Sequence, residues 1–306
     1  MAWRLHLANQ AVRAIAILPA ETSLVAAWLR ADRVALFDLN SGTPHDDLTL
    51  FVAPTSGRDS AAWGAFIAGL RAPNGAFFPS VQLDGLTAYL SDDGRLRLYD
   101  LGYGALALDN DGVEIALDTG DAHNFPALAL DRLFGGSAVL DESGKLYIYR
   151  QHVRVGVFDI GLAPHPEMRL HVNMTRGGGM IYASDGACIV QIDSGGKIRK
   201  RLDTHYNIRQ IACSPDGRYL ATIDLDNGVL RVYNGENLTP THQRFAIDLV
   251  ADATQVQLLA DLPPTFVAPS TLACDDTGRI AFSMAGVVCV SHLAHMDELP
   301  RPRPLL

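Results

Sequence analysis

Hydrophobic and polar positions follow a pattern along this chain that recurs six times. Each copy holds three runs rich in Val, Ile, Leu, Tyr and Phe, separated by two short turns rich in Asp, Gly, Ser and Asn. The clearest copy is IACSPDGRYLATIDLDNGVLRVYN, Ile211–Asn234. The six copies span residues 14–38, 79–100, 127–149, 170–193, 211–234 and 272–292.

The runs are typical of β-strands joined by tight hairpins, because Gly, Asn and Asp tolerate the positive φ angles that short hairpins need. Glycine interrupts the runs too often for sustained helical periodicity. Four antiparallel strands repeated at about 40 to 60 residues are the spacing of propeller blades. The sequence therefore predicts an all-β fold, a single β-propeller domain over residues 1–306. A fourth, more polar run supplies the outer strand of a blade, for example Leu48–Val52, Val153–Ile160, Lys197–Leu202 and Arg244–Val250.

The two ends of the chain are predicted to meet in the last blade. Residues 3–7, Trp-Arg-Leu-His-Leu, have the alternation of a strand and precede the first triplet. A ring of blades closes by pairing its ends, which leaves fewer exposed strand edges. We therefore expect residues 3–7 to form the outer strand of the last blade. Six blades are favoured over seven, because the long spans 39–78 and 235–271 contain no further triplet.

The fifth copy resembles a blade of the WD-repeat family. SPDGRYLAT, Ser214–Thr222, followed by VLRVYN, Val229–Asn234, carries this resemblance. LFDLNSG at 36–42 and LYDLGYG at 98–104 are similar to the end of the same motif, with an aromatic residue in the Trp position. The pattern covers most of the chain, but no copy contains the Trp-Asp pair itself.

The Gly-His opening of the WD motif is also absent, and Thr204-His205 comes nearest to it. The resemblance implies that His205 bonds Asp226 in the structural network of the family. It also implies a rigid propeller that binds proteins.

An insertion at 54–76 interrupts the repeat. Its side chains Trp63, Phe66, Ile67 and Leu70 are spaced as on one face of a helix, with Ser60 as N-cap and Pro73 ending the helix. A short amphipathic helix is predicted here. It either covers its own propeller or offers Trp63, Phe66, Ile67 and Leu70 to a protein partner.

A second insertion covers residues 249–270, and residues 296–306 form a C-terminal tail. The second insertion is compatible both with a short helix after Asp252 and with an extended connector before Pro263-Pro264. Its sequence leaves both alternatives open.

Charge and composition narrow the classes of partner and the compartment. The net charge of −9 argues against nucleic-acid binding, and the basic run Lys197–Arg201 is interpreted as a solvated outer strand. No apolar stretch reaches the roughly 18 residues of a membrane helix. The four cysteines lie in or beside apolar runs, which predicts buried free thiols in a reducing compartment. We expect a soluble, cytoplasmic protein.

The chain contains no strong motif for catalysis, a metal or a cofactor. His292 and His295, with Glu298, make an HxxH pattern that lacks a third specified ligand. The acidic turns at 92–94, 109–112 and 224–228 lack the alternating ligands of a calcium loop and are interpreted as hairpin turns. No metal or cofactor site is predicted.

These observations favour a non-enzymatic propeller that acts as a protein–protein interaction scaffold in a larger complex. The alternative is a propeller hydrolase, because the fifth copy is also similar to stretches of sugar-lactonase propellers. That alternative requires acidic, imidazole or guanidinium groups converging at the mouth of the central channel. A third hypothesis is a structural subunit that packs its blade faces against a neighbour.

Overall fold

Antiparallel β-sheets make up almost all of the secondary structure in the computed structural model. The structure describes residues 3–6, 12–17, 24–29, 33–44, 49–50, 80–83, 86–90, 96–102, 105–110, 113–131, 133, 135–225, 228–250, 271–284 and 287–299. Within these ranges the strands form six sheets, which we number I to VI along the chain.

The first strand, β1 (Trp3–His6), belongs to the last sheet. Sheets I to III follow in chain order. Sheet I contains β2 (Val12–Ile17), β3 (Leu24–Leu29), β4 (Arg33–Asp38) and β5 (Thr49–Leu50). Sheet II contains β6 (Ser80–Leu83), β7 (Leu86–Leu90), β8 (Leu96–Gly102), β9 (Ala105–Asn110) and β10 (Val113–Ala116). Sheet III contains β11 (Ala127–Leu130), β12 (Gly136–Leu140), β13 (Lys145–Arg150) and β14 (Val153–Asp159).

Sheets IV to VI follow, and two short helical segments of the described chain lie after β22 and after β25. Sheet IV contains β15 (His171–Met174), β16 (Met180–Ser184), β17 (Cys188–Asp193) and β18 (Ile198–Asp203). Sheet V contains β19 (Ile208–Cys213), β20 (Tyr219–Asp224), β21 (Val229–Asn234) and β22 (Pro240–Phe245), followed by helix α1 (Ala246–Val250). Sheet VI contains β23 (Thr271–Cys274), β24 (Arg279–Met284) and β25 (Val287–His292), besides β1. After β25, a 3-10 turn (Leu293–His295) leads to β26 (Asp297–Glu298), which is the fifth strand of sheet V.

Each of the six sequence triplets forms three consecutive strands of one sheet, so the all-β prediction and the strand triplets are confirmed. The prediction of an outer strand at Arg244–Val250 is wrong in its bounds. The strand is β22, which starts at Pro240 and pairs with β21. Ala246–Val250 is helical because Ala246 is fully buried while Ile247 and Leu249 pack against the core between sheets V and VI.

The predicted pairing of the chain ends is confirmed. β1 is the outer strand of sheet VI and pairs antiparallel with β25, with Trp3 opposite Val290 and His6 opposite Val287. Ladder hydrogen bonds thus join the first described residues to a strand nearly 290 residues later in sequence.

Apolar side chains are buried mainly between neighbouring sheets. Five clusters of buried residues lie between sheets II and III, III and IV, IV and V, V and VI, and VI and I. Full burial of a large side chain such as Phe282 or Ile181 contributes roughly 1.5–3 kcal/mol. The inner strands of successive sheets also contact one another: β2 contacts β6 and β23, β11 contacts β7 and β15, and β19 contacts β15 and β23.

Acidic residues close several hairpin turns in the same way. One carboxylate oxygen of Asp141, Asp193 and Asp275 accepts hydrogen bonds from the backbone N–H groups two and four residues later. The third residue after each aspartate is a glycine, and the φ angles of these three glycines are 81°, 84° and 86°. This region of positive φ favours glycine. The acidic turns that were interpreted from sequence, at 92–94, 109–112 and 224–228, lie wholly or partly outside the described residues.

Candidate functional site

A cavity of about 190 Å³ lies between the first strands of the sheets. It is lined by residues of β2, β11, β15, β19 and β23 and of the turns that follow β15 and β19, most of them aliphatic. Among the described residues of this lining, Asn173 and Arg176 carry the polar side chains besides two cysteines. Of the acidic, imidazole and guanidinium groups that the hydrolase alternative requires, the described lining of this cavity contains the guanidinium of Arg176.

One side chain of β15 hydrogen-bonds to the backbone of β19, since Asn173 Nδ2 donates to the carbonyl oxygen of Ile211 at 3.2 Å. Burial lowers the pKa of His171 to about 4, helped by the charge of Arg169 and opposed by the backbone of Arg209. The Nε2 atom of His171 is buried and has no hydrogen-bond partner. His171 is therefore a neutral, buried side chain at neutral pH.

The strand order defines two faces of the molecule. Because antiparallel strands alternate in direction, the first strand of a sheet begins and its fourth strand ends on the side that also holds the turn between the second and third strands. We call this side the connection face, and the opposite side, with the turns between first and second strands, the hairpin face. β5 ends and β6 begins at the connection face, on either side of residues 51–79, and β23 begins there after residues 251–270.

Two adjoining cavities open on the connection face at sheets III and IV. One, of about 550 Å³, is lined mainly by prolines, Met168 and residues of the connection before β15. The other, of about 420 Å³, is lined by the connection before β11 and the turn after β12. Both include Asn124 and Glu142, whose side chains are joined by a hydrogen bond of 3.1 Å. The cavities combine apolar surface with charge, as protein-binding surfaces do.

The connection between sheets III and IV is fixed in place by Asp185. Its Oδ2 accepts from the N–H of Ala163 at 2.9 Å, and its Oδ1 accepts from Ala187 and Cys188. Burial acts to raise the pKa of Asp185, but these backbone hydrogen bonds outweigh it and hold the pKa below its ordinary value. The carboxylate thereby holds the wall of the larger cavity against sheet IV.

Hydrogen bonds link successive sheets on the hairpin face. The carboxylate of Asp131 accepts from Gly177, Arg176 donates its N–H to Pro215, and Asp216 donates its N–H to the Asp276 carboxylate, each at 2.7 Å. Sheets III, IV, V and VI are therefore connected in series, and their relative positions are restrained.

The carboxyl groups of Asp216 and Asp276 interact on this face. Burial, together with the Asp216 carboxylate, raises the pKa of Asp276. Burial also acts on Asp216, but hydrogen bonds, first from Arg218, hold the pKa of Asp216 below its ordinary value. The two carboxyls bind backbone N–H groups of the turns, which gives them a structural role.

A buried polar network occupies sheet V, the copy that resembles a WD blade. Asp224, which is fully buried, forms an ion pair with Arg231 at 3.1 Å. The Arg231 guanidinium stacks 3.8 Å over the ring of Tyr206, whose hydroxyl contacts the hydroxyls of Tyr233 and Thr222. The network joins the entry to β19 to the second and third strands of the sheet.

His205, to which the WD resemblance assigns a bond with Asp226, is exposed, and Asp226 lies outside the described residues. The next residue, Tyr206, makes the contacts to the strands instead.

The candidate partner-binding residues Trp63, Phe66, Ile67 and Leu70 also lie outside the described residues, as does the second insertion beyond Val250. Of the predicted tail, Asp297–Glu298 forms β26 on sheet V.

The basic run lies on the outer strand β18, with most of its residues exposed, as interpreted from sequence. Arg199 forms an ion pair with Asp193 at 2.8 Å, and Arg201 donates to the carbonyl oxygen of Gly161 at 2.8 Å. Lys200 donates to the carbonyl oxygen of Asn237. These cations are therefore engaged with the protein itself.

The HxxH pattern has a local structural explanation. The Nδ1 atom of His292 accepts from the N–H of Ala294 and caps the 3-10 turn, while Nε2 donates to the carbonyl oxygen of Thr277. Glu298 lies in β26 opposite His242. Both ring nitrogens of His292 are thus bound to the backbone.

All four cysteines are free thiols, and Cys188, Cys274 and Cys289 are buried, which confirms the prediction for these three. Burial raises the pKa of Cys188 and of Cys213 to about 12. Such thiols are poor nucleophiles at neutral pH.

No family model matches this sequence, and a search of curated proteins finds no significant match. In the part of the chain that the structure describes, no helix has the length and apolar character needed to cross a membrane.

Sequence reasoning missed the cavities on the connection face. They combine side chains from residues 124–126, 142 and 164–170, which are separated in sequence and meet only through the order of the strands. The cluster of prolines in Ala163-Pro164-His165-Pro166 is the one local signal that pointed there.

Proposed function

We propose that the chain is a six-bladed, WD-repeat-like β-propeller that serves as a non-enzymatic scaffold for protein partners. Six sheets in chain order support the blade count. Ring closure is supported by the pairing of β1 with β25 and by the succession of contacts that leads from β2 through the other sheets back to β23.

The observation that carries the scaffold function is that the strands next to the insertions, β5, β6 and β23, have those ends on the connection face, which also holds the two cavities. Rigid sheets hold several loops in fixed relation, so residues from different blades can bind one partner. The hydrogen bonds between the turns of sheets III to VI provide this rigidity.

The WD-like class rests on the fifth copy. Its SPDG segment forms the turn between β19 and β20, where the Ser214 side chain accepts from the N–H of Tyr219 at 3.0 Å. Tyr233 stands in the Trp position of the motif, and its hydroxyl meets that of Tyr206. Around this position the described residues of the copy carry a network of Tyr206, Tyr233, Thr222 and Arg231.

Affinity purification of the full chain from native lysate tests the scaffold function. We expect a stoichiometric partner whose affinity falls at least about tenfold with Trp63→Ala, because buried aromatic anchors dominate interfaces. Glu142→Lys reverses a charge shared by both cavities and is expected to weaken the same complex.

The matched control is Leu133→Ala, which removes an exposed apolar side chain, 47% accessible, in the turn after β11 on the hairpin face. It should leave the complex intact. Absence of any stoichiometric partner, together with wild-type behaviour of Trp63→Ala, would refute the proposal in favour of the hydrolase or the structural-subunit hypothesis.

A further inference from the structure

Basic side chains meet at the connection-face ends of β15 and β19. Both strands run from the connection face to the hairpin face, and the side chain of Asn173 is bonded to the backbone of Ile211. Two residues before these, His171 lies beside Arg209. Arg169 precedes His171 by two residues, and its charge acts on both His171 and Arg209. We call these three residues the Arg–His cluster.

Arg209 occupies a β-bulge at the start of β19. Ile208 pairs with Asp224 and Gln210 pairs with Ile223, so the ladder between β19 and β20 passes over Arg209. Bulges redirect side chains and are frequent beside binding sites. Arg209 is half-buried, so this bulge holds a partly desolvated cation next to β15.

The Arg–His cluster lacks a paired carboxylate among the described residues. In this part of the chain, six arginines each form an ion pair with an aspartate: Arg154, Arg199, Arg201, Arg218, Arg231 and Arg244. Arg169 and Arg209 form no such pair with a described residue. Asp224 lies opposite Ile208, next to the bulge, but its carboxylate is bound by Arg231.

The two guanidinium groups therefore repel each other without a counter-charge from the described residues. Burial and the charge of Arg169 lower the pKa of Arg209, because both disfavour its cationic form. Nearby, the Nε2 atom of His171 is buried without a hydrogen-bond partner. An anion between the two arginines would relieve their repulsion and accept hydrogen bonds from both. Uncompensated basic groups that perturb one another are typical of binding sites.

The charge and shape of the cluster favour a phosphate group as this anion. The planar fork of a guanidinium binds two oxygens of a phosphate or a carboxylate at once. A carboxylate carries one negative charge, whereas a phosphate monoester carries about 1.5 to 2 at neutral pH, which matches two arginines. Since the chain has a net charge of −9, its surface as a whole does not attract anions, and their retention requires a local site.

The larger cavity of the connection face adjoins this cluster, because Arg169 is part of its lining. Pro164, Pro166, Met168 and Leu170 line the same cavity of about 550 Å³. Their side chains offer apolar surface beside the Arg169 guanidinium. An organic group attached to the phosphate can therefore pack against them.

We propose that the Arg–His cluster binds the phosphate group of a small phosphate monoester, whose organic part lies in the larger cavity of the connection face. Arg169 and Arg209 donate to the phosphate oxygens, and Arg169 stands where the cluster meets the cavity. The site is built by this chain alone, so it is independent of whether the connection face binds a protein partner.

Isothermal titration calorimetry of the purified full chain, with inorganic phosphate and with phenyl phosphate up to about 10 mM, tests the site. We expect both compounds to bind. Phenyl phosphate should bind about tenfold more tightly, because its ring is removed from water against the prolines and Met168.

Replacement of either arginine should weaken both compounds. Arg169→Gln and Arg209→Gln are each expected to reduce the affinity for phosphate at least about tenfold, since each removes a charge and a bidentate donor. Arg209→Lys keeps the charge but loses the fork, so its affinity should lie between those of the wild type and Arg209→Gln.

The matched control is Arg150→Gln, which removes an exposed arginine at the hairpin-face end of β13. It causes the same change of net charge and should leave both affinities unchanged. Melting temperatures equal to that of the wild type, measured without ligand, show that the variants are folded.

A wild-type chain that binds neither compound overturns the inference, as does binding that both Arg169→Gln and Arg209→Gln leave intact. A loss of affinity in Arg150→Gln equal to that in Arg209→Gln would show that only the net charge matters, which also overturns it. Equal affinities of the wild type for phosphate and phenyl phosphate would refute the assignment of the cavity to the organic part.

Discussion

At the scale of single residues, the acidic side chains of this protein act mainly as acceptors for backbone N–H groups. Asp141, Asp193 and Asp275 close turns, and Asp185 fixes a connection between sheets. Local sequence predicts this use, because Asp followed three residues later by glycine is a turn signal. The same residues would be misread as ion ligands if only their number and charge were considered.

The ion pair between Asp224 and Arg231 could not be read from the sequence, since its energy depends on burial. Removing one partner of a buried pair leaves an uncompensated charge and costs about 3 kcal/mol or more. We therefore predict that Asp224→Asn lowers the free energy of unfolding by about this amount, measured by urea denaturation followed by circular dichroism.

The control for this prediction is Arg199→Gln, which breaks the exposed pair with Asp193 and should give a change too small to resolve. The double variant Asp224→Asn, Arg231→Gln should recover part of the loss, because it removes the orphaned charge as well. Equal effects of Asp224→Asn and Arg199→Gln would show that burial does not decide the energy of this pair.

His171 gives the protein a pH dependence that can be measured. Its pKa is about 4 in the folded protein against an ordinary value of 6.5, so between these pH values the unfolded state binds a proton that the folded state does not. Stability is therefore predicted to fall as pH decreases from 6.5 towards 4. The measurement is the free energy of unfolding at several pH values across this window.

Replacement of His171 by Gln should remove this part of the decline, because the amide does not titrate in this pH range. His165→Gln changes an exposed histidine of the preceding connection and serves as the control. The same slope in wild type and His171→Gln would mean that other groups cause the dependence.

At the scale of elements, the inner three strands of each sheet were predictable and the outer ones were less so. The inner strands are buried on both faces, so they form continuous apolar runs with clear turns between them. Outer strands are half exposed and carry mixed residues. That is why β22 was misplaced towards the apolar run Ala246–Val250, and why the fifth strands β10 and β26 were not foreseen.

The outer strands of sheets III and IV differ in the residues that they expose. β14 and β18 occupy equivalent outer positions, with a bulge in each pairing. One exposes valines and the other exposes arginine and lysine. Their sequences indicated strands in both cases, but only the pairing pattern shows that each is the last strand of its sheet among the described residues.

At the scale of the whole molecule, β1 joins the ends of the chain. Deleting residues 1–9 exposes the edge of β25 and removes a strand from sheet VI. We predict a decrease in the melting temperature of about 5 °C or more, since each kcal/mol corresponds to about 2–4 °C in a chain of this size. Differential scanning calorimetry provides the measurement.

A chain that lacks residues 301–306 is the matched control, because it loses a terminus without losing any described strand. Its melting temperature should equal that of the full chain. If the deletion of residues 1–9 also left the melting temperature unchanged, the pairing of β1 would contribute nothing to stability.

The sequence by itself determined the inner three strands of each sheet, the turns between them and the number of repeats, because these depend on residues within a few positions of one another. It also singled out Trp63, Phe66, Ile67 and Leu70, and their role stays a prediction. Tertiary structure alone decided which strands meet at sheet edges, which carboxylate is buried against Arg231, and which loops line the cavities of the connection face. These features arise from contacts between residues far apart in sequence, and no local pattern encodes such contacts.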